Sequence, residues 1–135
     1  MVEQCVFCKI ARNEAPASFV YEDEKVIAFL DARPINEGHT LVITRKHYED
    51  IYEAPEEEVE HLFKVVKKVA HAVRKSEKAD GVSIIQNNGR AANQVIFHLH
   101  AHIIPRYERQ NPQKQRETVE QNELDKVATR IRKFI

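Results

Sequence analysis

The chain has 135 residues, of which 42% are hydrophobic and 31% are charged, and this composition excludes a disordered or fibrous protein. Its 21 basic and 21 acidic residues cancel, so no global field draws it to nucleic acid or anionic lipid, and no apolar run approaches the ~18 residues of a membrane span. We expect a single soluble domain, 1–135, with no membrane or nucleic-acid partner. Residues 1–16 lack the pattern of a secretory signal, which favours a cytoplasmic location.

Three short strands are predicted in the first third of the chain. Residues 18–21 and 26–30 are rich in β-branched and aromatic residues and flank an acidic turn, which fits a hairpin. Residues 31–38 contain Pro and Gly and predict a loop, after which 39–44 resumes as a strand.

One long helix is predicted next. Pro55 suits its first turn, and the three glutamates that follow complement the positive end of the helix dipole. Its apolar residues recur at helical spacing, namely Val59, Leu62, Phe63, Val66, Val69, Ala70 and Val73. Gly81 is expected to close this helix or to lie in the loop beyond it.

The second half predicts strands at 82–86 and 95–104 and a final helix from about Val119. The basic tail, 106–116, is expected to be mobile and solvated. These elements predict an α+β fold with a mostly antiparallel five-stranded sheet, one long helix packed on it and a C-terminal helix.

Three histidines alternate with apolar residues in the last predicted strand, at His98, His100 and His102. Because strand side chains alternate, the three imidazoles would share one face while the residues between them enter the core. Neighbouring imidazoles would be roughly 6.6 Å apart, so one metal ion could be bound by two of them but hardly by three. Each unmet buried nitrogen costs about 1–3 kcal/mol, so this row indicates catalysis or metal binding.

The sequence His-Leu-His-Ala-His-Ile-Ile at 98–104 resembles the signature of the histidine triad (HIT) superfamily of nucleotide hydrolases and transferases. The segments 38–43 and 87–89, together with Asp31 and Gln94, are also similar to the family. The resemblance covers about 5–107 and leaves 108–135 as a tail and helix. It implies the HIT-like fold and a homodimer, which an exposed strand edge would also favour.

The resemblance implies that His100 attacks phosphorus, with its tautomer fixed by a backbone carbonyl, that of His98, and that water hydrolyses the covalent intermediate. His102 would donate to the α-phosphate or the bridging oxygen, and His39 would complete the cluster. Ribose, phosphate and base would be contacted by Asp31, Asn87, Gln94, Ile27 and Phe29. The implied substrate is a purine nucleotide, from which AMP is transferred out of a phosphoramidate, an anhydride or a dinucleoside polyphosphate.

Two positions depart from the family pattern. Val95 stands where many members have Ser, and its side chain cannot donate a hydrogen bond to a leaving group. Asn93 stands where Gly is common, which bears on how closely the backbone approaches phosphate. The leaving-group preference therefore stays open.

Cys5 and Cys8 are spaced as half of a zinc site and are too close together to staple a fold. No other cysteine exists, so two further ligands of a structural site must be histidines. The resemblance implies His47 and His98, which gives a closed structural zinc site. Free or redox-active thiols are the alternative interpretation.

Three classes of function stay open from the sequence. The first is the nucleotide hydrolase with a histidine nucleophile. The second is a metal-dependent phosphohydrolase in which the triad holds a catalytic ion, which the strand spacing and the lack of an acidic residue in the motif disfavour. The third is a non-catalytic nucleotide-binding or interaction module.

Overall fold

The computed structural model describes residues 4–110 and 116–135. Its elements in chain order are α1 (Val6–Ala11), β1 (Phe19–Glu22), β2 (Val26–Leu30), β3 (Thr40–Thr44), α2 (Glu56–Ser76), β4 (Gly81–Ile85), a 3-10 turn (Arg90–Ala92), β5 (His100–Arg106) and α3 (Gln121–Arg132). No helix in these two ranges has the length and apolar character needed to cross a bilayer.

The five strands form one antiparallel sheet in the order β1-β2-β3-β5-β4. The α+β fold predicted from the sequence is therefore confirmed. Strand β5 lies between β3 and β4, and its register pairs His100 with Ile43 and His102 with Leu41. The histidine-bearing strand is thus inside the sheet, where its backbone is held on both sides.

The two faces of the sheet carry different clusters of buried side chains. One face packs against α2 and α3, and its core includes Leu99, Ala101 and Ile103, all fully buried. The opposite face holds a smaller apolar cluster of Phe7, Ile10, Ile27, Phe29, Leu41 and Ile43. The alternation of side chains along β5 places the odd-numbered residues under the helices and the histidines on the second face.

The start of β5 differs from the prediction. The sequence predicted a strand over 95–104, but the strand begins at His100 and 95–99 is irregular. The chain joins the sheet later than predicted, because the Leu99 N–H donates to the carbonyl of Tyr48, 2.7 Å away, rather than to a neighbouring strand. The alternation of faces nevertheless continues through Leu99 and His98.

Helix boundaries also differ from the prediction. Pro55 is the N-cap of α2 rather than part of its first turn, and Gly81 is the first residue of β4. Phe63, which the periodicity placed on the buried stripe, is 36% exposed, whereas Val65 is buried. The apolar stripe of α2 is therefore rotated relative to the predicted one.

The prediction that residues 106–116 form a mobile tail is wrong at both ends of that range. Arg106 belongs to β5 and donates to the Ser83 hydroxyl, 3.1 Å away, and Arg116 donates to the carbonyl of Arg33, 2.7 Å away. Both guanidinium groups have hydrogen-bond acceptors in the folded protein, which hold the two ends of this range in place. The composition of the tail does not show which acceptors lie near it. Lys114 lies outside the described residues.

Candidate functional site

The backbone fixes the tautomer of His100. Its Nδ1 lies 2.6 Å from the carbonyl oxygen of His98, and a carbonyl can only accept, so Nδ1 carries the proton. In the neutral ring the lone pair is then on Nε2. His100 lines a cavity of about 630 Å³. The result is an imidazole whose free lone pair is available to a ligand.

A hydrogen bond from His39 holds His102 in the opposite tautomer. The N–H of Ile35 donates to Nδ1 of His39, 3.0 Å away, so Nε2 of His39 carries the proton. That Nε2–H donates to Nδ1 of His102, 3.0 Å away. A neutral His102 must therefore carry its own proton on Nε2. The two neighbouring histidines of the cavity are thus set as an acceptor and a donor.

The histidines of the site are neutral at pH 7. Burial is the main cause that lowers the pKa of His39 to about 3, with the nearby His102 and Arg116 adding to it. Burial lowers the pKa of His102 to about 4, and the neighbouring His100 adds to it. Burial also lowers the pKa of His100, although its hydrogen bond to the carbonyl of His98 opposes this. The lone pair of His100 therefore does not depend on deprotonation by another group.

The cavity beside these histidines has an apolar wall and a few charged groups. Its apolar lining residues include Phe7, Ile10, Phe29, Leu41 and Val95. Asp31, Arg33 and Arg116 are the charged residues among those described that line it. A flat aromatic ring fits such an apolar wall, whereas the charged groups are suited to polar and anionic parts of a ligand.

The residues predicted to bind nucleotide divide into two groups. Asp31, Asn87 and Phe29 line the cavity. Ile27 is fully buried in the apolar cluster and is absent from the described lining, so it packs within the cluster instead of flanking a ligand.

Gln94 also lies away from the described lining, and its polar atoms already have partners. Its Oε1 accepts from the N–H of Gly89 at 2.7 Å, and its Nε2 donates to the carbonyls of Glu49 and Ile96 at 2.7 and 3.2 Å. The side chain is 3% exposed. Gln94 therefore ties the loop before the histidines to the loop after β3, a positioning role that the sequence did not indicate.

The two positions that depart from the family pattern lie at the cavity. Asn93 has φ +69, in the left-handed region, where Gly is favoured and Asn is the best tolerated alternative. Val95 is 85% exposed and lines the cavity. The wall at residue 95 thus presents methyl groups where a hydroxyl is common.

Four ligand atoms converge beside this site. Nδ1 of His98 lies 3.3 Å from the sulfur of Cys5 and 3.5 Å from that of Cys8, and Nδ1 of His47 lies 3.3 Å from the sulfur of Cys8. Sulfur at ~2.3 Å and nitrogen at ~2.0 Å around a tetrahedral zinc ion are separated by roughly 3.5 Å. The observed distances match that value, so these four residues fit a zinc ion.

The chemistry of the four groups also fits a cation. Nε2 of His98 donates to the carbonyl of Thr44, 2.6 Å away, which leaves the lone pair of its Nδ1 facing the two sulfurs. Burial, and then Cys5, raise the pKa of the Cys8 thiol to about 11, so both sulfurs cannot ionise close together without a compensating charge. When bound, zinc supplies that charge and joins α1 to the loop before β5.

A second cluster of potential ligands, Asp31, His39 and His102, brings its atoms within 4.8 Å of one another. Nε2 of His39 is protonated there, because Ile35 occupies its Nδ1. It could bind a metal only by giving up the hydrogen bond to His102. The geometry therefore indicates a chain of hydrogen bonds at this cluster.

Two residues of the site were missed by sequence reasoning. Phe7 packs edge-on against His100 and His98, with ring centroids 5.1 and 5.9 Å away, and so joins the cysteine pair to the triad. Its position between Cys5 and Cys8 was the available signal. Arg116 had no such signal, because it reaches the cavity from 85 residues beyond its partner Asp31.

This fold and site define a protein with two neighbouring histidines, His100 and His102, held in opposite tautomers beside a cavity. A family model described as the HIT domain matches residues 12–109. The chain therefore belongs to the HIT family, as its sequence resemblance implied.

Related proteins are similar to this chain in sequence over most of its length. An uncharacterized HIT-like protein of Methanocaldococcus jannaschii is 47% identical over 128 residues, which are 95% of this chain and 98% of that protein. The adenylylsulfatase HINT3 of Arabidopsis thaliana is 44% identical over 105 residues, which are 78% of this chain and 53% of that protein.

Solved structures agree in fold. A hypothetical histidine triad nucleotide-binding protein from Sulfolobus tokodaii has a TM-score of 0.89 at 45% identity, covering 96% of this chain and 90% of that chain. A zinc-bound histidine triad family protein from Mycobacterium smegmatis has a TM-score of 0.87 at 36% identity, covering 98% of this chain and 94% of that chain.

Proposed function

We propose that this protein is a nucleotide hydrolase that transfers a nucleoside monophosphate, AMP in particular, to His100 and then to water. The observation that carries the proposal is the pair of opposite tautomers. Nδ1 of His100 is committed to the carbonyl of His98, and His102 is left with an Nε2–H. A nucleophile and a hydrogen-bond donor on neighbouring positions of one strand are what phosphoryl transfer through nitrogen needs.

In the first step Nε2 of His100 attacks the α-phosphorus. A bond forms between nitrogen and phosphorus, and the bond from phosphorus to the leaving group breaks with its electron pair on the leaving group. His102 donates a hydrogen bond to an oxygen on which negative charge develops, and this interaction strengthens in the transition state. The proton on Nδ1 of His100 stays on that nitrogen, and its hydrogen bond to the carbonyl of His98 stabilises the positively charged ring.

In the second step water attacks the same phosphorus. The nitrogen–phosphorus bond breaks, its electron pair returns to Nε2, and the proton lost by water passes to solvent. His100 is thereby regenerated in its starting tautomer. Because Val95 offers no hydroxyl, leaving groups that depart as stable anions are favoured over amines, which need a proton. The name of the relative from Arabidopsis thaliana, an adenylylsulfatase, is consistent with an anhydride substrate.

The nucleotide has defined positions in this proposal. The base lies against the apolar wall at Phe29, and the ribose hydroxyls donate to Asp31. Asn87 contacts phosphate or ribose. Zinc has a structural role in the proposal, since all four of its ligands come from the protein.

The test is turnover of a fluorogenic adenylyl phosphoramidate and of adenylyl sulfate. His100→Ala should abolish turnover of both, a loss of at least about a thousandfold, while AMP binding and zinc content persist. His61→Ala is the matched control, because His61 pairs with Asp23 and lies outside the described cavity lining. Mass spectrometry of acid-quenched wild type should detect an adenylyl adduct on the peptide that contains His100. Retained turnover in the His100 variant would refute the mechanism.

We also propose that the protein is a homodimer that pairs through β4. That strand is an edge of the sheet, and Ile84 on the strand and Phe63 on α2 beside it are 48% and 36% exposed. They belong to an apolar groove between α2 and β4. Sedimentation equilibrium should give twice the chain mass, and Ile84→Glu should shift it toward the single-chain mass. A monomeric wild type at micromolar concentration would contradict the dimer.

A further inference from the structure

The C-terminal segment, residues 116–124, helps to build the cavity. The matched family domain ends at residue 109, yet Arg116, Gln121 and Leu124 line the same cavity as His100 and His102. Part of the ligand environment therefore comes from outside the family domain.

This segment is fixed to the loop that follows β2 and to Ser18, which precedes β1. The N–H of Val119 donates to the carbonyl of Ala32 at 2.9 Å, and Nε of Arg116 donates to the carbonyl of Arg33 at 2.7 Å. Nε2 of Gln121 donates to the Ser18 hydroxyl at 2.6 Å. These bonds hold the guanidinium of Arg116 in a defined position at the cavity.

That position is beside Asp31. Nη2 of Arg116 lies 3.1 Å from Oδ2 of Asp31, while the N–H of Arg33 donates to Oδ1 at 2.8 Å. An ionised carboxylate offers about four lone-pair sites, so two stay available to a diol after these bonds form. The side chain of Asp31 is only 16% exposed, which limits the directions from which a ligand can reach it. The two protein donors therefore decide how the carboxylate is turned toward the cavity.

The charge of Arg116 matters as well. A carboxylate at the cavity repels an anionic ligand, and Asp31 lies close to the cluster of histidines there, with its Oδ2 3.6 Å from Nε2 of His39. Arg116 offsets this repulsion directly, by pairing with the same oxygen.

We propose that Arg116 is a positioning residue for Asp31 and thereby sets the selectivity of the site for ribonucleotides over 2′-deoxyribonucleotides, an inference that rests on the proposed nucleotide site. A carboxylate held in one orientation accepts hydrogen bonds from both ribose hydroxyls, whereas a carboxylate that rotates freely accepts from only one hydroxyl at a time. Loss of Arg116 therefore weakens binding of the ribonucleotide more than binding of its deoxy analogue.

The experiment is calorimetric titration of the full-length protein with AMP and 2′-deoxy-AMP. Wild type should bind AMP at least about tenfold more tightly, since a hydrogen bond to a charged group contributes about 1.5 kcal/mol or more. Arg116→Gln should reduce this ratio to about threefold or less, and Arg116→Lys should give an intermediate ratio because it keeps the charge without the planar fork. In an Asp31→Asn background the Arg116 substitution should change the ratio by less than twofold.

Arg109→Gln is the matched control, since it removes one exposed arginine from the same part of the chain at a position outside the described cavity lining. Its ratio should equal that of wild type. Failure of wild type to bind AMP would refute the nucleotide site itself and this inference with it. Normal AMP binding with an unchanged ratio in Arg116→Gln, or with no preference for ribose in wild type, would overturn the inference alone.

Discussion

Nε2 of His39 lies 3.0 Å from Nδ1 of His102, and this contact determines which nitrogen of a neutral His102 carries the proton. The cause is one step further back, because the backbone N–H of Ile35 occupies the other nitrogen of His39. A loop amide thus sets the proton position of a histidine on β5 through one intervening ring.

His39→Ala should therefore lower kcat by about 10- to 100-fold while KM changes little, because His102 then populates both tautomers and only one donates to the substrate. His39→Asn should recover part of the loss, since its amide can accept from Ile35 and donate to His102. The measurement is steady-state hydrolysis with both variants at the zinc content of wild type. Equal kcat values for wild type and His39→Ala would show that the contact does not act in catalysis.

The second prediction concerns the four residues at the cysteine pair. Purified protein should contain about one zinc ion per chain, and removal with a strong chelator should lower the melting temperature by about 10 °C or more, because folding and metal binding are coupled. Since the Cys8 thiol, with its pKa raised to about 11, is protonated in the metal-free protein at pH 7, adding zinc back should release protons in weakly buffered solution.

His47→Ala is the informative variant for that site. It removes a half-buried ligand while leaving His98 and the rest of the triad in place, so zinc affinity should fall more than nucleotide affinity. His71, which is exposed on α2, provides a matched histidine-to-alanine control. A metal content well below one per chain in wild type would rule out the site and leave the free-thiol interpretation.

Local patterns explain why much of the site could be predicted. The alternation of His98, His100 and His102 with apolar residues is a short-range property, and it placed the imidazoles on the correct face even though the strand starts later than expected. The strand start depends on a single bond from Leu99 to Tyr48, two segments far apart in sequence. No local propensity reports such a bond.

Contacts across long sequence separations explain what could not be predicted. Helix α1 has six residues, too short for a periodic signal, and its N-cap is the sulfur of Cys5, which accepts from the N–H of Cys8 at 3.4 Å. Arg116 lies in a segment whose composition indicates only a basic tail. Its role at the cavity follows from where α3 and the Ala32 loop place the chain.

A third prediction tests the loop that leads to His39. Gly38 has φ +98, and a Cβ there would lie 2.7 Å from Cγ of Glu77. Glu77 cannot easily move aside, because Arg130 donates to its carboxylate at 2.6 and 2.9 Å. Gly38→Ala should therefore lower the free energy of unfolding by about 2–4 kcal/mol through combined backbone strain and overpacking.

The other two glycines separate these causes. Gly89 has φ +94 and ψ 156 with open space around it, so Gly89→Ala should cost about 1–2 kcal/mol from strain alone. Gly81 has neither a positive φ nor a close neighbour, so Gly81→Ala should change stability by less than about 0.5 kcal/mol. Urea unfolding at pH 7 measures all three. An equal cost at Gly38 and Gly89 would remove Glu77 from the explanation.

The fourth prediction concerns acid stability and Asp23. Burial raises the pKa of this carboxyl, but hydrogen bonds from His61, from the N–H of Lys25 and from the Tyr21 hydroxyl outweigh burial and lower the pKa to about 2. The unfolded value is about 3.9, so the folded state binds its proton less readily. The stabilisation is therefore complete above about pH 5 and is lost as the pH falls from 4 through 2.

Allowing for the 23% exposure of its side chain, Asp23 should contribute about 1–2 kcal/mol at pH 7. The stability difference between wild type and Asp23→Asn should be largest at pH 7 and should shrink toward zero near pH 2. Comparing the two at each pH cancels any loss of metal in acid, which affects both proteins. Glu24→Gln, an exposed change in the same turn, should show no such trend. A difference that stays constant from pH 7 to pH 2 would mean that hydrogen-bond geometry, and not the charge of Asp23, stabilises this turn.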